Sequence, residues 1–294
     1  LVGDPGTGKS QFLRFMAKLA PRSILTTGCG TTSAGLTCSA VKDNGEWTLE
    51  AGALVLADKG VCCIDEFGAI KAGDRAAIHE AMEQQTISLA KAGIVATLNA
   101  RASIFAAANP VDSRYNPSLS VVENIQLPPT LLSRFDLIYL ILDNPDRDSD
   151  RRLAKHIVEL YLAPPEPGST EEQARKVQAP ADERFLRDYV AFARARIHPE
   201  LGPEARAELV DAYVRMRGGG SARPNRGRAI TATPRQLEGM IRISEALCRM
   251  RLETRVTQAD VLDAVSLRLV ATLDAAKDAS TCLIDIYDMT TGRK

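Results

Sequence analysis

"GDPGTGKS", residues 3–10, decides the fold. The spacing Gly3-x4-Gly8-Lys9-Ser10 is that of a phosphate-cradling P-loop, in which glycines let backbone N–H groups turn toward the phosphates. Lys9 supplies charge to the β- and γ-phosphates, Ser10 can ligate Mg²⁺, and the N-terminus of the following helix adds its dipole. Such a loop follows a buried strand and opens a helix. Leu1–Val2 reads as the end of that strand and Lys9–Leu19 as the helix. The pattern also arises by chance, but this flanking context is the one that confirms it. With only two residues ahead of Gly3 and no initiating Met, the chain is expected to be a fragment of a longer protein.

The second half of a nucleotide site stands some fifty residues downstream in "VCCIDEF", residues 61–67. Four apolar residues predict a buried strand, and Asp65 and Glu66 follow at its carboxyl end, where open α/β sheets bind their ligands. Asp65 is suited to the Mg²⁺ shell and Glu66 to polarising an attacking water as general base, which points to hydrolysis rather than binding alone. "FAAANP" ends a further strand with Asn109, placed to orient a water against the γ-phosphate. "LLSRFDLIYLIL" puts Arg134 just ahead of another apolar strand, where a local salt bridge to Asp136 is the plain alternative.

Around these points short apolar runs alternate with helical stretches over residues 1–162, the pattern of a parallel α/β sheet flanked by helices. Expected strands are Ile24–Thr27, Val61–Ile64, Ser103–Ala107 and Leu137–Leu142; further helices are expected over Arg75–Gln84 and Asp150–Leu160. Residues 163–183, rich in Pro, Glu and small polar residues, read as a linker. Over 184–273 the period is purely helical, giving an all-α lid, and 274–294 is left as a tail. Within the lid, Pro203 sits near a helix start, Thr233 is an expected N-cap before Pro234, and Thr257 with Asp260 forms a near capping box.

Two β-hairpins interrupt the alternation. One turns at Asp43-Asn44-Gly45, with Lys42 and Trp47 close to its tip; the other turns at Lys91-Ala92-Gly93. Trp47 is read as a strand-packing aromatic, and a lone tip lysine is ordinarily a solvated side chain.

Taken together, "GDPGTGKSQ", "LEAGALVLAD", "CCIDEF", "HEAMEQQTISLAKAGI", "NARASIFAAANP", "LLSRFDLI" and "TPRQLEGMIR" resemble the AAA+ ATPases, and within them the minichromosome maintenance (MCM) helicase family. The resemblance runs across nearly the whole chain. It implies an ATP-hydrolysing subunit of a hexameric ring of sibling MCM subunits that unwinds duplex DNA in replication, in the nucleus, with ATP and Mg²⁺ as cofactors. By it, Asp4, Pro5, Gly6, Thr7, Gly8, Lys9, Ser10, Asp65, Glu66 and Asn109 serve this subunit's own nucleotide. Arg134 then resembles an arginine finger and Arg235 a sensor-2 arginine, both reaching a neighbour's nucleotide. The hairpins resemble the family's helix-2 insert and pre-sensor-1 hairpin, which point into the ring channel, so Lys91 and Lys42 become candidate contacts to single- or double-stranded DNA. Where family members commonly follow the Asp-Glu-Phe with Asp-Lys-Met, this chain has Gly68-Ala69-Ile70. Within the family the lid and residues 99–143 are most similar to the fourth of the six replicative subunits, whereas "TTSAGLT" to "HEAMEQQTIS" is closer to the ninth, repair-type paralogue.

Composition narrows the rivals. Lys plus Arg and Asp plus Glu balance at 37 each, so any surface for DNA has to be local. No apolar run approaches the ~20 residues that spanning a bilayer takes. The six cysteines form no CxxC pair and read as small core residues, with Cys62 and Cys63 on opposite strand faces. "HEAME" lacks the second histidine of a zinc protease, and His79, His156 and His198 make no credible metal set. Glu83 and Gln84 lie in a family motif near subunit contacts, and "RPNRGR" reads as a solvated loop. A repair-type MCM paralogue, a protein-remodelling AAA+ subunit and a non-catalytic ring subunit stand as alternatives; the GAFTGA motif of the remodeller's transcription-activator version is absent.

Overall fold

A computed structural model describes residues 1–43, 46–91, 94–111, 114–116, 121–143, 145–160, 183–218 and 233–276. Residues 161–182, the "RPNRGR" loop, the tail beyond Ala276 and both hairpin turns (44–45 and 92–93) lie outside the described residues; the lid helices begin at Glu183 and run to Ala276, one residue before and three beyond the expected 184–273.

The base begins with β1 (Val2–Gly3), α1 (Lys9–Leu19), β2 (Ser23–Thr27) and the short α2 (Ser33–Leu36). A hairpin of β3 (Cys38–Asp43) and β4 (Glu46–Ala51) follows, then α3 (Ala53–Leu56), β5 (Val61–Asp65) and α4 (Ala72–Gln84). A second hairpin, β6 (Thr86–Lys91) with β7 (Ile94–Asn99), leads to β8 (Ser103–Ala106), α5 (Val121–Ile125), α6 (Pro129–Leu132), β9 (Leu140–Ile141) and α7 (Arg147–Leu160). The lid comprises α8 (Glu183–Arg196), β10 (Glu200–Leu201), α9 (Pro203–Gly218), α10 (Pro234–Met250), β11 (Arg255–Val256) and α11 (Gln258–Ala276).

β2, β5 and β8 pair in parallel with β5 central. Ala108, just past β8, bridges in parallel to Val2, and β1 pairs in parallel with β9, so one sheet runs β2-β5-β8-β1-β9. A strand covered on both faces should read as continuous apolar residues rather than alternating ones. "VCCID" does, with Cys62, Cys63 and Ile64 fully buried. The two cysteines point to opposite faces, as expected: Cys62 belongs to the large core with Leu54, Phe67 and Ile78, and Cys63 packs with Leu13 of α1 and Ala107. Burial pushes the Cys62 thiol up to about 12 and raises that of Cys63, so both are inert packing groups.

Of the expected strand Leu137–Leu142, Leu140 and Ile141 pair with Val2 and Gly3 of β1. α4 starts at Ala72 and α7 at Arg147, three residues ahead of the expected starts. Pairing in the second hairpin reaches Lys91 opposite Ile94, so Lys91 ends a strand instead of opening the turn.

In the lid, Ala205, Leu209, Met240, Cys248, Val256 and Val261 form the core. Thr233 occupies the N-cap of α10 with Pro234 behind it, but its side chain makes no cap hydrogen bond. Before α11, the Asp260 carboxylate accepts both the backbone N–H and the hydroxyl of Thr257, each at 2.9 Å. Asp136 ties lid to base: its carboxylate accepts from Arg242 at 2.9 Å and its carbonyl from Arg268 at 3.1 Å.

Asp58, after α3, accepts three hydrogen bonds from Arg101: backbone N–H at 2.9 Å, Nε at 3.0 Å and Nη2 at 2.8 Å. The Arg101 side chain, then its backbone N–H, hold the Asp58 carboxyl at about 2, against an ordinary 3.8. A carboxyl depressed on folding contributes stability that is complete above its unfolded value and is lost as pH falls through the folded one. The expected result is that Asp58→Asn lowers the melting temperature at neutral pH, and that this deficit shrinks from about pH 4 to about pH 2 in a thermal-unfolding series. A deficit independent of pH would refute the assignment.

Candidate functional site

The P-loop leaves β1 at Gly3 and closes into α1 through Gly8, whose φ of 80° lies in the left-handed region that an L side chain enters only at a cost. Gly6, at φ 83°, makes the same demand. This bend places Lys9, the first residue of α1, with its ammonium inside the loop. It donates to the Gly3 carbonyl at 2.9 Å, to the Asp4 carbonyl and to Thr7 Oγ1 at 3.2 Å, and the residue is only 6% exposed. Burial pulls the Lys9 pKa down, while Asp4 and then Asp65 push it back up. That coupling puts Asp65 within electrostatic reach of the loop.

Asp4 does not turn its carboxylate toward the loop's mouth. It accepts the backbone N–H of Tyr115 at 2.7 Å and of Asp143 at 3.1 Å, stitching the loop to the segments after β8 and β9. Burial raises its pKa, but those two N–H groups, with Arg114 and Lys9 behind them, bring it below the ordinary value. Pro5, Gly6 and Gly8 are exposed, and Thr7 and Ser10 half-buried, along the loop's open side.

Asp65 ends β5, and its Oδ1 accepts the N–H of Glu66 at 2.9 Å. Glu66 is held at φ 49°, ψ 45°, a left-handed conformation costing about 1–2 kcal/mol for a residue with a Cβ. Two contacts enforce it. Phe67, buried just beyond, donates its N–H to Ala107 O at 2.8 Å, and Gly28 passes so close that a Cβ there would sit 2.3 Å from Glu66 O. The Ala108–Val2 bridge sets Asn109 beside the start of the P-loop. Glu66 and Asn109 are exposed and line one cavity of about 280 Å³ with Gly68, Ala69, Val111, Ile125 and Gln126.

Among the described residues no group of three or more His, Cys, Asp or Glu could cage a metal. Mg²⁺ needs no such cage: it keeps waters and phosphate oxygens and takes one or two hard protein oxygens. A Ser10 hydroxyl and an Asp65 carboxylate fit that demand.

Arg134 and Arg235 stand apart from this edge. Arg134 follows α6, and Arg235 is the second residue of α10. Both guanidiniums converge on Glu83 in the last turn of α4: Arg134 Nη2 on Oε2 at 2.5 Å, and Arg235 on Oε1. Arg134 Nη1 also donates to Thr130 O, and its side chain is 16% exposed. Thus Arg134 turns to Glu83, and Asp136 to Arg242, instead of the Arg134–Asp136 pair that adjacency suggests. Among the described residues neither arginine is ion-paired or hydrogen-bonded to the P-loop or Asp65. The role of Glu83 escaped sequence reasoning because its two partners lie 51 and 152 residues away.

Trp47 corrects an expectation: it is 48% exposed and paired across the first hairpin from the exposed Lys42, rather than packed. The strand position of Lys91 is described, but its side chain lies outside the described residues.

Residues 1–161 match the MCM P-loop domain and residues 184–272 the MCM AAA-lid domain. The chain is 54% identical to the DNA replication licensing factor MCM4 of Arabidopsis thaliana, over 99% of this chain and 34% of that protein. It is 48% identical to the mcm4 of Schizosaccharomyces pombe (97% and 31%) and 51% identical to the mcm7-B of Xenopus laevis (91% and 36%). The chain therefore spans about a third of the length of the curated relatives it matches.

Proposed function

The chain belongs to the MCM family, and we propose that it is the ATP-hydrolysing motor region of a replicative MCM subunit of the MCM4 type, working in a hexameric ring that unwinds DNA in the nucleus. The ATPase core is residues 1–162, the linker 163–182, the lid 183–276 and the tail 277–294. The relatives named as replication licensing factors support the replicative assignment.

One observation carries the reading. Lys9, Asp65, Glu66 and Asn109 gather at one sheet edge, while Arg134 and Arg235 are clamped together on Glu83 and, among the described residues, make no hydrogen bond or ion pair to it. A chain with both sets supplies parts to two nucleotides: its own, and that of a neighbour in the ring. At its own site the loop N–H groups and Lys9 bind the triphosphate, the Lys9 ammonium exchanging loop carbonyls for phosphate oxygens. Ser10 and Asp65 would hold Mg²⁺, which would supply charge neutralisation for the triphosphate. Asn109 orients the water, and Glu66 takes its proton, its strained backbone fixing the carboxylate's direction. The γ-phosphoryl group passes to water and ADP leaves. Arg134 and Arg235 stabilise the charge that develops on the neighbour's transferring phosphate.

Lys91, at the end of β6, and Lys42 contact the phosphate backbone of DNA in the channel. In the assembled ring of full-length subunits, Lys91→Ala is expected to remove most of the stimulation of ATP turnover by single-stranded DNA. It should weaken strand displacement, while turnover without DNA stays within about twofold, because a phosphate contact adds affinity without touching the chemistry. Undiminished stimulation would sink the hairpin's assignment, and a protein remodeller would become the better account.

A further inference from the structure

We propose that Glu83 is a positioning residue, whose carboxylate holds Arg134 and Arg235 as one two-pronged unit for the neighbour's nucleotide; this rests on the shared-site reading above.

Both Glu83 oxygens are used, one for each guanidinium. The three residues come from distant elements: the last turn of α4, the turn after α6, and the first turn of the lid helix α10. Exposed ion pairs of this kind stabilise a fold little, so a purely structural role explains little of the arrangement. Two features run against it as a stabilising device. Drawing two guanidiniums to one carboxylate sets like charges side by side, and the Arg134 Nε is buried without a hydrogen-bond partner. Arg235 also stands in the first turn of α10, where the helix dipole disfavours a cation, and Glu83 offsets that. What remains is a group of net charge +1 whose geometry is set before any phosphate arrives.

The anchor itself is fixed. One turn earlier, Glu80 accepts the N–H of Ser88 in β6 at 2.7 Å, and the left-handed Gln85 caps α4 by donating to Ala81 O at 3.1 Å. Glu83 therefore projects from a helix end pinned to the second hairpin. Holding charged groups in place before reaction is how such groups lower a barrier, and a displacement of about 1 Å can cost about 10²-fold in rate.

The test is a double-mutant cycle in the assembled ring of full-length subunits, with kcat and KM measured and ring assembly followed by sedimentation. Glu83→Ala is expected to lower kcat about 10-fold with KM within about twofold. Glu83→Gln, which keeps its shape but loses charge, should fall between. Because Glu83 acts through both arginines, adding Glu83→Ala to Arg235→Ala should cost less than the about 10-fold it costs alone, only its hold on Arg134 being left to lose. If the two losses multiply, or if Glu83→Ala raises turnover, the anchor is refuted. Should the alanine variant fail to assemble, the same cycle run with Glu83→Gln decides. Arg134→Ala run alongside separates the two levels: its full activity would overturn the shared-site reading, whereas its inactivity beside a multiplicative cycle overturns the anchor alone.

Discussion

Replacing Lys9 with alanine is expected to lower ATP turnover at this subunit's own nucleotide by about 10²–10³-fold or more, and to weaken nucleotide binding there. Lys9 is the cation nearest the loop's interior, almost wholly buried, and donating to two backbone carbonyls and to Thr7. In that setting a triphosphate offers it stronger, charge-assisted partners, and no other side chain of the loop is basic. The fold should survive. The bend is set by Gly6 and Gly8, and the loop stays stitched to its neighbours through the two hydrogen bonds that Asp4 accepts. Titration with a fluorescent ATP analogue and steady-state turnover of the assembled ring check this. Near-normal turnover would mean that another group carries the phosphate charge.

Arg134→Ala should cost about 10³–10⁵-fold in turnover, at the neighbour's nucleotide and not at this chain's own. Its guanidinium is held by Glu83 and Thr130, and among the described residues it has no link to Lys9 or Asp65. Affinity at the chain's own P-loop should therefore stay unchanged within about twofold, measured with the same fluorescent analogue, while the shared site falls silent. Loss of nucleotide affinity at the chain's own loop instead would place Arg134 in cis and dissolve the distinction between the two half-sites.

Where the P-loop and the Asp65–Glu66 pair stand in the fold was legible because each follows a strand at a spacing that backbone geometry demands. Gly8 needs its positive φ, Lys9 opens the helix, and Asp65 and Glu66 end an all-apolar strand. Asn109 was legible for the same reason. The arginine clamp was not, since it depends on three elements meeting in space and no local pattern encodes that meeting. Adjacency even suggested the wrong partner, for Asp136 belongs to Arg242 in the lid. The strained backbone of Glu66 was equally hidden: it comes from Gly28 and Ala107, just past the ends of the neighbouring strands β2 and β8. Trp47 misled because large aromatics usually pack, whereas the outer part of this hairpin, with Val41 and Lys42, is exposed and leaves the ring half in solvent.

The most direct test of the central claim, that this chain supplies halves of two different ATP sites, is ATP turnover by the full-length subunit, alone and with its sibling subunits. The account predicts turnover that appears only with the siblings and is lost from one interface with Lys9→Ala and from the adjacent interface with Arg134→Ala. Full turnover by the subunit alone as a monomer, or loss at a single common interface with both substitutions, would contradict it.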